Sequence, residues 1–217
     1  MIIFEIRAII IHFWCYRLHM VEPRKKNSHL WDRDPNDWYV EPESCSRALL
    51  NVEHFKGGVW DPACGTNRIV DSSREAGLYA IGSDLMIRNE KIDFQANFLE
   101  QTRMPDMTNN IVSNPPFGIA EEFYHHGLEL LPMGGKLAFI LPMVWLSGFS
   151  KKRDWLPTSP LRKYFAISPR PSMPPGAVIQ AGIKAGNGTK DFAWFVWEKG
   201  FKGKAEVGFL NTNPYKD

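Results

Sequence analysis

The chain has 217 residues, the length of one large domain or of a domain with appendages. Hydrophobic residues make up 44% and charged residues 23%, which allows a sizeable core and excludes wholesale disorder. Lys and Arg number 26 against 24 Asp and Glu, so a histone-like polybasic protein is excluded but nucleic acid as a substrate is not. The charge is uneven: residues 1–114 carry 13 basic and 16 acidic side chains, and residues 115–217 carry 13 and 8. Cys15, Cys45 and Cys64 form no CxxC pair. That argues against a disulfide framework and a cysteine zinc site, and for a reducing, cytoplasmic location.

Residues 1–20 (MIIFEIRAIIIHFWCYRLHM) are interrupted by Glu5, Arg7 and His12 and fall short of the roughly 20 apolar residues of a membrane span. No basic segment precedes the run and no small-x-small site follows it, so a signal peptide fits poorly. Two readings stay open: an amphipathic helix or strand packed on the domain, or an appendage upstream of the fold. Residues 21–37 read as a polar linker. The expected organisation is an appendage and linker over 1–37 and one domain over 38–217.

From Trp38 onward, helical and strand patterns alternate. Pro42 to Phe55 has helical spacing and stops at Gly57-Gly58. Val59-Trp60 begins a short buried strand, Ile69 to Ala76 a helix, and 78–84 (LYAIGSD) the next strand. FQANF (94–98) and NIVSN (110–114) are two short strands, followed by a helix over Ile119 to Leu131. KLAFILP (136–142) is a continuous apolar run suited to a strand covered on both faces. FAWFVWEKG (192–200) and AEVGFL (205–210) close the series, and 168–190 reads as a long flexible loop. Strands alternating with helices predict a doubly wound α/β sheet.

WDPACGT (60–66) sits where the first strand turns into a helix, at the sheet end where open α/β folds bind ligands. Gly65 permits close backbone approach, and Asp61 places a carboxylate at the mouth. Neither G-x-G-x-x-G nor GK[ST] is present, so neither a dinucleotide fingerprint nor a P-loop is supported. A plain turn with an Asp cap is the bland alternative. A second acid, Asp84, ends the next strand 23 residues on, where a carboxylate can take both ribose hydroxyls of a nucleoside. A nucleoside without phosphate and with a positive charge is S-adenosylmethionine. Asn97-Phe98 ends the next strand; an amide there can read an adenine edge while Phe98 packs on the ring or in the core.

Asn114-Pro115-Pro116-Phe117 follows the strand NIVSN. Two prolines remove two N–H donors, so the backbone presents acceptors, and Phe117 offers an aromatic face. This suits methylation of a planar exocyclic amine, whose lone pair is delocalised into its ring. The Asn114 side-chain oxygen and the Pro115 carbonyl can each hold one N–H and aim the lone pair at a methyl donor. Catalysis is then positioning and electrostatics, with Phe117 stacking on a base flipped from the duplex. A proline-stiffened loop with a core Phe is the alternative.

Together these residues resemble the adenine-specific (N6) DNA methyltransferases of the class I S-adenosylmethionine-dependent fold. WYVEP (38–42) looks like the segment such enzymes place over the methionine end of the cofactor, which implies cofactor contacts for Tyr39, Glu41 and Pro42. DPACGT resembles their first motif and implies such contacts for Asp61, Pro62, Ala63 and Gly65. Asp84 resembles their ribose acid, Asn97-Phe98 their Asp-Phe adenine motif, with Asp93 as a fallback, and NPPF their catalytic motif. FAWFVWEKG is similar to the late strand of small phage and prophage members. The resemblance spans about 38–210 and implies a mostly parallel, seven-stranded Rossmann-like methyltransferase sheet. It also implies DNA with a flipped-out adenine as partner, and no metal or membrane. No separate target-recognition domain fits, so sequence choice falls to 147–190 or to a separate specificity partner. Asn67 stands where the family often has Gly, and Asn tolerates a left-handed backbone better than most residues.

Asn-Pro-Pro-aromatic also serves RNA bases and protein glutamine, and a catalytically weak nucleic-acid-binding relic would keep the same fold; both remain alternatives. His125-His126 point in different directions on a helix, as a surface pair would. Lys151, Lys152, Arg153, Arg162, Lys163 and Arg170 are candidates for a phosphate-contacting rim. Met143, Trp145 and Phe149 read as core rather than base pocket.

Overall fold

The period-2 pattern of the strands explains the architecture of the computed structural model. It describes residues 34, 37–150, 153–183, 186 and 188–215, all within one unit, 31–217. The readings offered for residues 1–33 lie outside the described residues. Strands β1 (Gly58–Asp61), β2 (Ala80–Asp84), β3 (Phe94–Gln95), β4 (Thr108–Ser113), β5 (Lys136–Pro142), β6 (Leu161–Ser168), β7 (Phe192–Glu198) and β8 (Glu206–Asn211) form one sheet. Their order is β3-β2-β1-β4-β5-β7-β6-β8. The first five pair in parallel, β7 runs antiparallel to β5 and β6, and β8 is parallel to β6.

Successive side chains point to opposite faces of a strand, and here both faces are apolar. Val59, Val112, Ile140 and Trp194 build one core with helices α1 (Glu43–Val52) and α2 (Arg68–Glu75). Trp60, Ile111, Phe139 and Phe195 build the other with α3 (Ala120–Leu130). A buried indole N–H needs a partner. Trp60 donates to Ser83 Oγ (2.9 Å), Trp194 to the Cys45 carbonyl (3.0 Å) and Trp197 to Ser159 Oγ (3.3 Å).

The sheet has eight strands where seven were expected. The unexpected one is β6: its Arg162 and Lys163 broke the apolar pattern, and each is partly buried beside an acid. Arg162 Nε lies 3.3 Å from Glu198 Oε2, and Lys163 Nζ 2.8 Å from Glu53 Oε2. The FQANF strand is shorter than expected, ending at Gln95. Asn97 Oδ1 accepts from the Leu99 N–H (3.2 Å) and turns the chain into a 3-10 segment, Phe98–Glu100. The 168–190 loop contains a short helix, α4 (Gly176–Gln180), and a bridge from Pro175 to Tyr39.

Glu53, just past α1, is almost fully buried, and its two oxygens meet Lys136 of β5 and Lys163 of β6. Removing one partner of a buried pair leaves uncompensated charge. Glu53→Ala is expected to lower the unfolding free energy by about 2–3 kcal/mol, read by urea titration.

Candidate functional site

Three chain segments converge at the carboxyl ends of β1, β2 and β4, around a cleft of about 230 Å3. Asp61, at the tip of β1, is only 1% exposed. Its Oδ1 accepts from Ser113 Oγ of β4 (2.7 Å) and from the Ala63 N–H (3.1 Å). Asp84, at the tip of β2, accepts through Oδ2 from the Gly65 N–H and through Oδ1 from the Met86 N–H, both at 2.9 Å.

The loop between them needs two left-handed residues. Gly65 has φ +51°, and a Cβ there would come 2.9 Å from Trp38 Nε1. Asn67 is left-handed too (φ 72°, ψ 15°), as expected for an Asn in a Gly position. It is fully buried, and room for it comes from Gly82, where a Cβ would lie 2.5 Å from Asn67 Oδ1.

The segment 37–41 straps the cleft's open side. Asp37 Oδ2 accepts from the Gly118 N–H (2.6 Å), and the Val40 N–H donates to the Pro174 carbonyl (3.0 Å). Arg88 stacks on the Trp38 ring at 4.0 Å and lies 3.7 Å from Asp84. The Glu41 carbonyl accepts from Arg68 Nη1 (2.9 Å). The strap also holds Asn114, whose Nδ2 donates to the Tyr39 carbonyl and to Glu41 Oε2, both at 2.8 Å. A carbonyl can only accept, so the amide orientation is fixed. Asn114 Oδ1 is left buried with no partner.

Glu41, Asp61 and Asp84 thus put three carboxylates, 6%, 1% and 7% exposed, around one cleft. Burial pushes the Glu41 carboxyl above its ordinary range against the opposing pull of its hydrogen bonds and Arg68. Burial, with Glu41 and Asp84 adding repulsion, pushes Asp61 further up. The arrangement favours a cationic ligand. Each Asp84 oxygen has a further acceptor site beyond its backbone partner, so ribose hydroxyls still fit. Burial also raises the Cys64 thiol, which argues against a thiolate nucleophile.

Of the residues expected at the site, Tyr39, Glu41, Asp61, Pro62, Ala63, Gly65, Asp84, Asn97, Phe98, Asn114 and Pro116 line the cleft. Pro42 caps α1 and borders a second depression. Pro115 is buried just behind Asn114. Phe117 stacks on Tyr39 (5.9 Å between ring centres, 12° between planes) and touches Phe192. Asn97 spends its amide on its own turn, donating to Glu100 Oε1 (2.9 Å), and Phe98 packs edge-on to Trp60 and His126. Asp93 is held by the Gly82 N–H (2.7 Å) and Arg74.

Trp38, Leu85, Met86, Arg88 and Ile119 were not singled out, yet they line the cleft. The run Leu85-Met86-Ile87, directly after a strand-end acid and more than half exposed, was the available signal. The described rim candidates meet acids: Arg153 with Glu121, Arg162 with Glu198, Lys163 with Glu53, Arg170 with Asp191. Lys151 and Lys152 lie outside the described residues. Trp145 is in the core. Among the described residues no His, Cys, Asp and Glu group could hold a metal, and no helix is long and apolar enough to cross a membrane.

No family model matches the chain, and no curated protein does. Among solved structures it is similar to a Listeria monocytogenes protein assigned to the class I S-adenosylmethionine-dependent methyltransferases. The TM-score is 0.51 at 14% identity, over 94% of this chain and 71% of that one. It is also similar to the type IIG restriction endonuclease BpuSI, with a TM-score of 0.50 at 15% identity over 76% of this chain and 25% of that one. These likenesses establish the Rossmann-like methyltransferase fold.

Folded Asp61 binds protons more tightly than unfolded Asp61, so its contribution to stability falls as pH rises from the ordinary carboxylate range through its raised folded value. Asp61→Asn keeps an acceptor for Ser113 and Ala63 and removes the charge. The variant is expected to gain stability at neutral pH and little in acid, measured by urea unfolding at both. A loss at neutral pH would refute this account.

Proposed function

We propose that the chain is an S-adenosylmethionine-dependent methyltransferase acting on the exocyclic N6 amine of adenine in DNA. The observation that carries the reading is Asn114 at the cleft. Its NH2 is used up by two acceptors, and its Oδ1 waits buried without a donor. An unmet buried acceptor costs about 1–3 kcal/mol, which an N–H of the substrate would recover.

The residues present fit the cofactor: a three-carboxylate cleft suits a positive charge, and Asp84 keeps acceptor sites for ribose hydroxyls. When bound, S-adenosylmethionine would supply an electrophilic sulfonium methyl. Asp84 would hold the ribose, while Glu41 and Asp61 provide the negative wall of the cleft. Asn114 Oδ1 takes one N–H of the amine, and the Pro115 carbonyl takes the other. Among the described residues that carbonyl accepts no hydrogen bond, whereas the Pro116 carbonyl is used by the Ile119 N–H (3.1 Å). The two acceptors draw the nitrogen toward tetrahedral geometry. No base is required before attack, because the proton can leave afterwards. Reaching the amine requires the base to leave its stack. DNA as the substrate rests on the NPPF motif and its order behind DPACGT.

The decisive measurement is transfer of a tritiated methyl group from the cofactor to separate DNA, RNA and protein pools. Labelling of DNA adenine is expected; label only in RNA or in protein glutamine would replace this substrate with the corresponding alternative. Asn114→Ala is expected to cut transfer by about 100-fold or more while cofactor affinity stays within about threefold. Asp84→Ala should do the reverse, weakening cofactor binding by about tenfold or more in calorimetry.

A further inference from the structure

Glu41 belongs to the cleft, and one oxygen of its carboxylate is engaged by a side chain. Oε2 accepts from Asn114 Nδ2 at 2.8 Å, across 73 residues of chain. We propose that Glu41 is a positioning residue that acts through Asn114, fixing the amide and strengthening its free oxygen as an acceptor. The inference rests on the methyltransferase reading above.

Two features of the geometry support it. Asn114 is gripped through both N–H bonds by residues two apart on one strap, Tyr39 through its carbonyl and Glu41 through its side chain. A rotated amide would set Oδ1 against two acceptors, so rotation is blocked. The strap itself is fixed independently of Asn114: Arg68 Nη1 holds the Glu41 carbonyl and Gly118 holds Asp37. A charged acceptor also polarises the amide it binds. Hydrogen bonds in a chain strengthen one another, and a charge-assisted bond is about twice as strong as a neutral one. Electron density drawn toward Oδ1 makes it a better partner for a substrate N–H.

The arrangement therefore joins the two halves of the site. Arg68 begins α2, directly after the loop that carries Asp61 and Gly65. Glu41 carries that anchorage across to the Asn114 loop. A shift of the first loop would be felt by the catalytic amide through two hydrogen bonds.

The test compares Glu41→Ala, Glu41→Gln, Asn114→Ala and the double variant Glu41→Ala/Asn114→Ala, using S-adenosylmethionine and DNA. Glutamine still offers an oxygen to Nδ2 but carries no charge. Glu41→Ala is expected to lower kcat by about 10- to 100-fold with the DNA KM within about threefold, while any rise in the cofactor KM from the lost wall charge is shared by Glu41→Gln. Glu41→Gln should restore kcat to within about fivefold of wild type. The double variant should be no slower than Asn114→Ala alone, as for two residues acting as one unit.

A raised cofactor KM with kcat intact would make Glu41 a cofactor contact and overturn the proposal. So would a loss that glutamine does not restore. A readout independent of activity separates this inference from the reading beneath it. The Asn114 side-chain NH2 resonances, assigned by their loss in Asn114→Ala, should shift in Glu41→Gln even if the wild-type chain methylates no DNA. Unchanged resonances would overturn the positioning role; absent transfer with shifted resonances would overturn only the assigned reaction.

Discussion

The cleft is organised by one unfavourable requirement: three carboxylates must be buried side by side at the strand tips. Desolvation opposes ionised Asp61 and Glu41, and the charges of Glu41 and Asp84 add repulsion at Asp61. Such a cluster is tolerable only where each acid has fixed donors and the surrounding sheet is rigid. Both conditions hold. Ser113 and Ala63 serve Asp61, Gly65 and Met86 serve Asp84, and Asn114 serves Glu41. The two cores on either face of β1, β4 and β5 supply the rigidity. An ionisable cluster kept at this cost marks the cleft as a candidate functional site.

The same requirement explains the unusual backbone of the DPACGT loop. To reach Asp84, the Gly65 N–H must turn toward β2, and only a left-handed residue without Cβ does so under the Trp38 indole. Asn67 then re-enters the helix from a second left-handed position, with Gly82 making space on the neighbouring strand. The pairing of Asn67 with Gly82 is a substitution of place: the bulk absent at one residue admits the side chain of the other. Trp38, clamped between Gly65, Gly176 and Arg88, ties the strap to this loop and to the 174–176 turn.

How much of this was legible in the sequence follows from how local each feature is. The strand tips Asp61 and Asp84 and the NPPF turn were legible because each is defined by its neighbours in the chain: an apolar run, then an acid or a proline pair, then a helix. Strand β6 was not, because what permits a basic strand there is Glu53, 110 residues from Lys163. Arg88 was hidden for the same reason, since its partner Trp38 comes from a segment that reads as leading into a helix. The Asn97 amide carries the right chemistry for an adenine edge. Its own turn takes up that amide, which sequence spacing does not reveal.

The distribution of charge needs the three-dimensional partners as well. The excess of basic residues after position 114 suggests a face for a polyanion, but the described arginines of that half each sit against a carboxylate. A paired guanidinium still adds to the long-range field, yet it offers little to a phosphate until its acid is displaced. Attraction of nucleic acid by these arginines would then act through their summed charge rather than through direct phosphate contacts. Discrimination then falls to the cleft, whatever the substrate. There the fixed donors of Asn114 and its single unmet acceptor set a demand that an amine meets and a carbonyl does not.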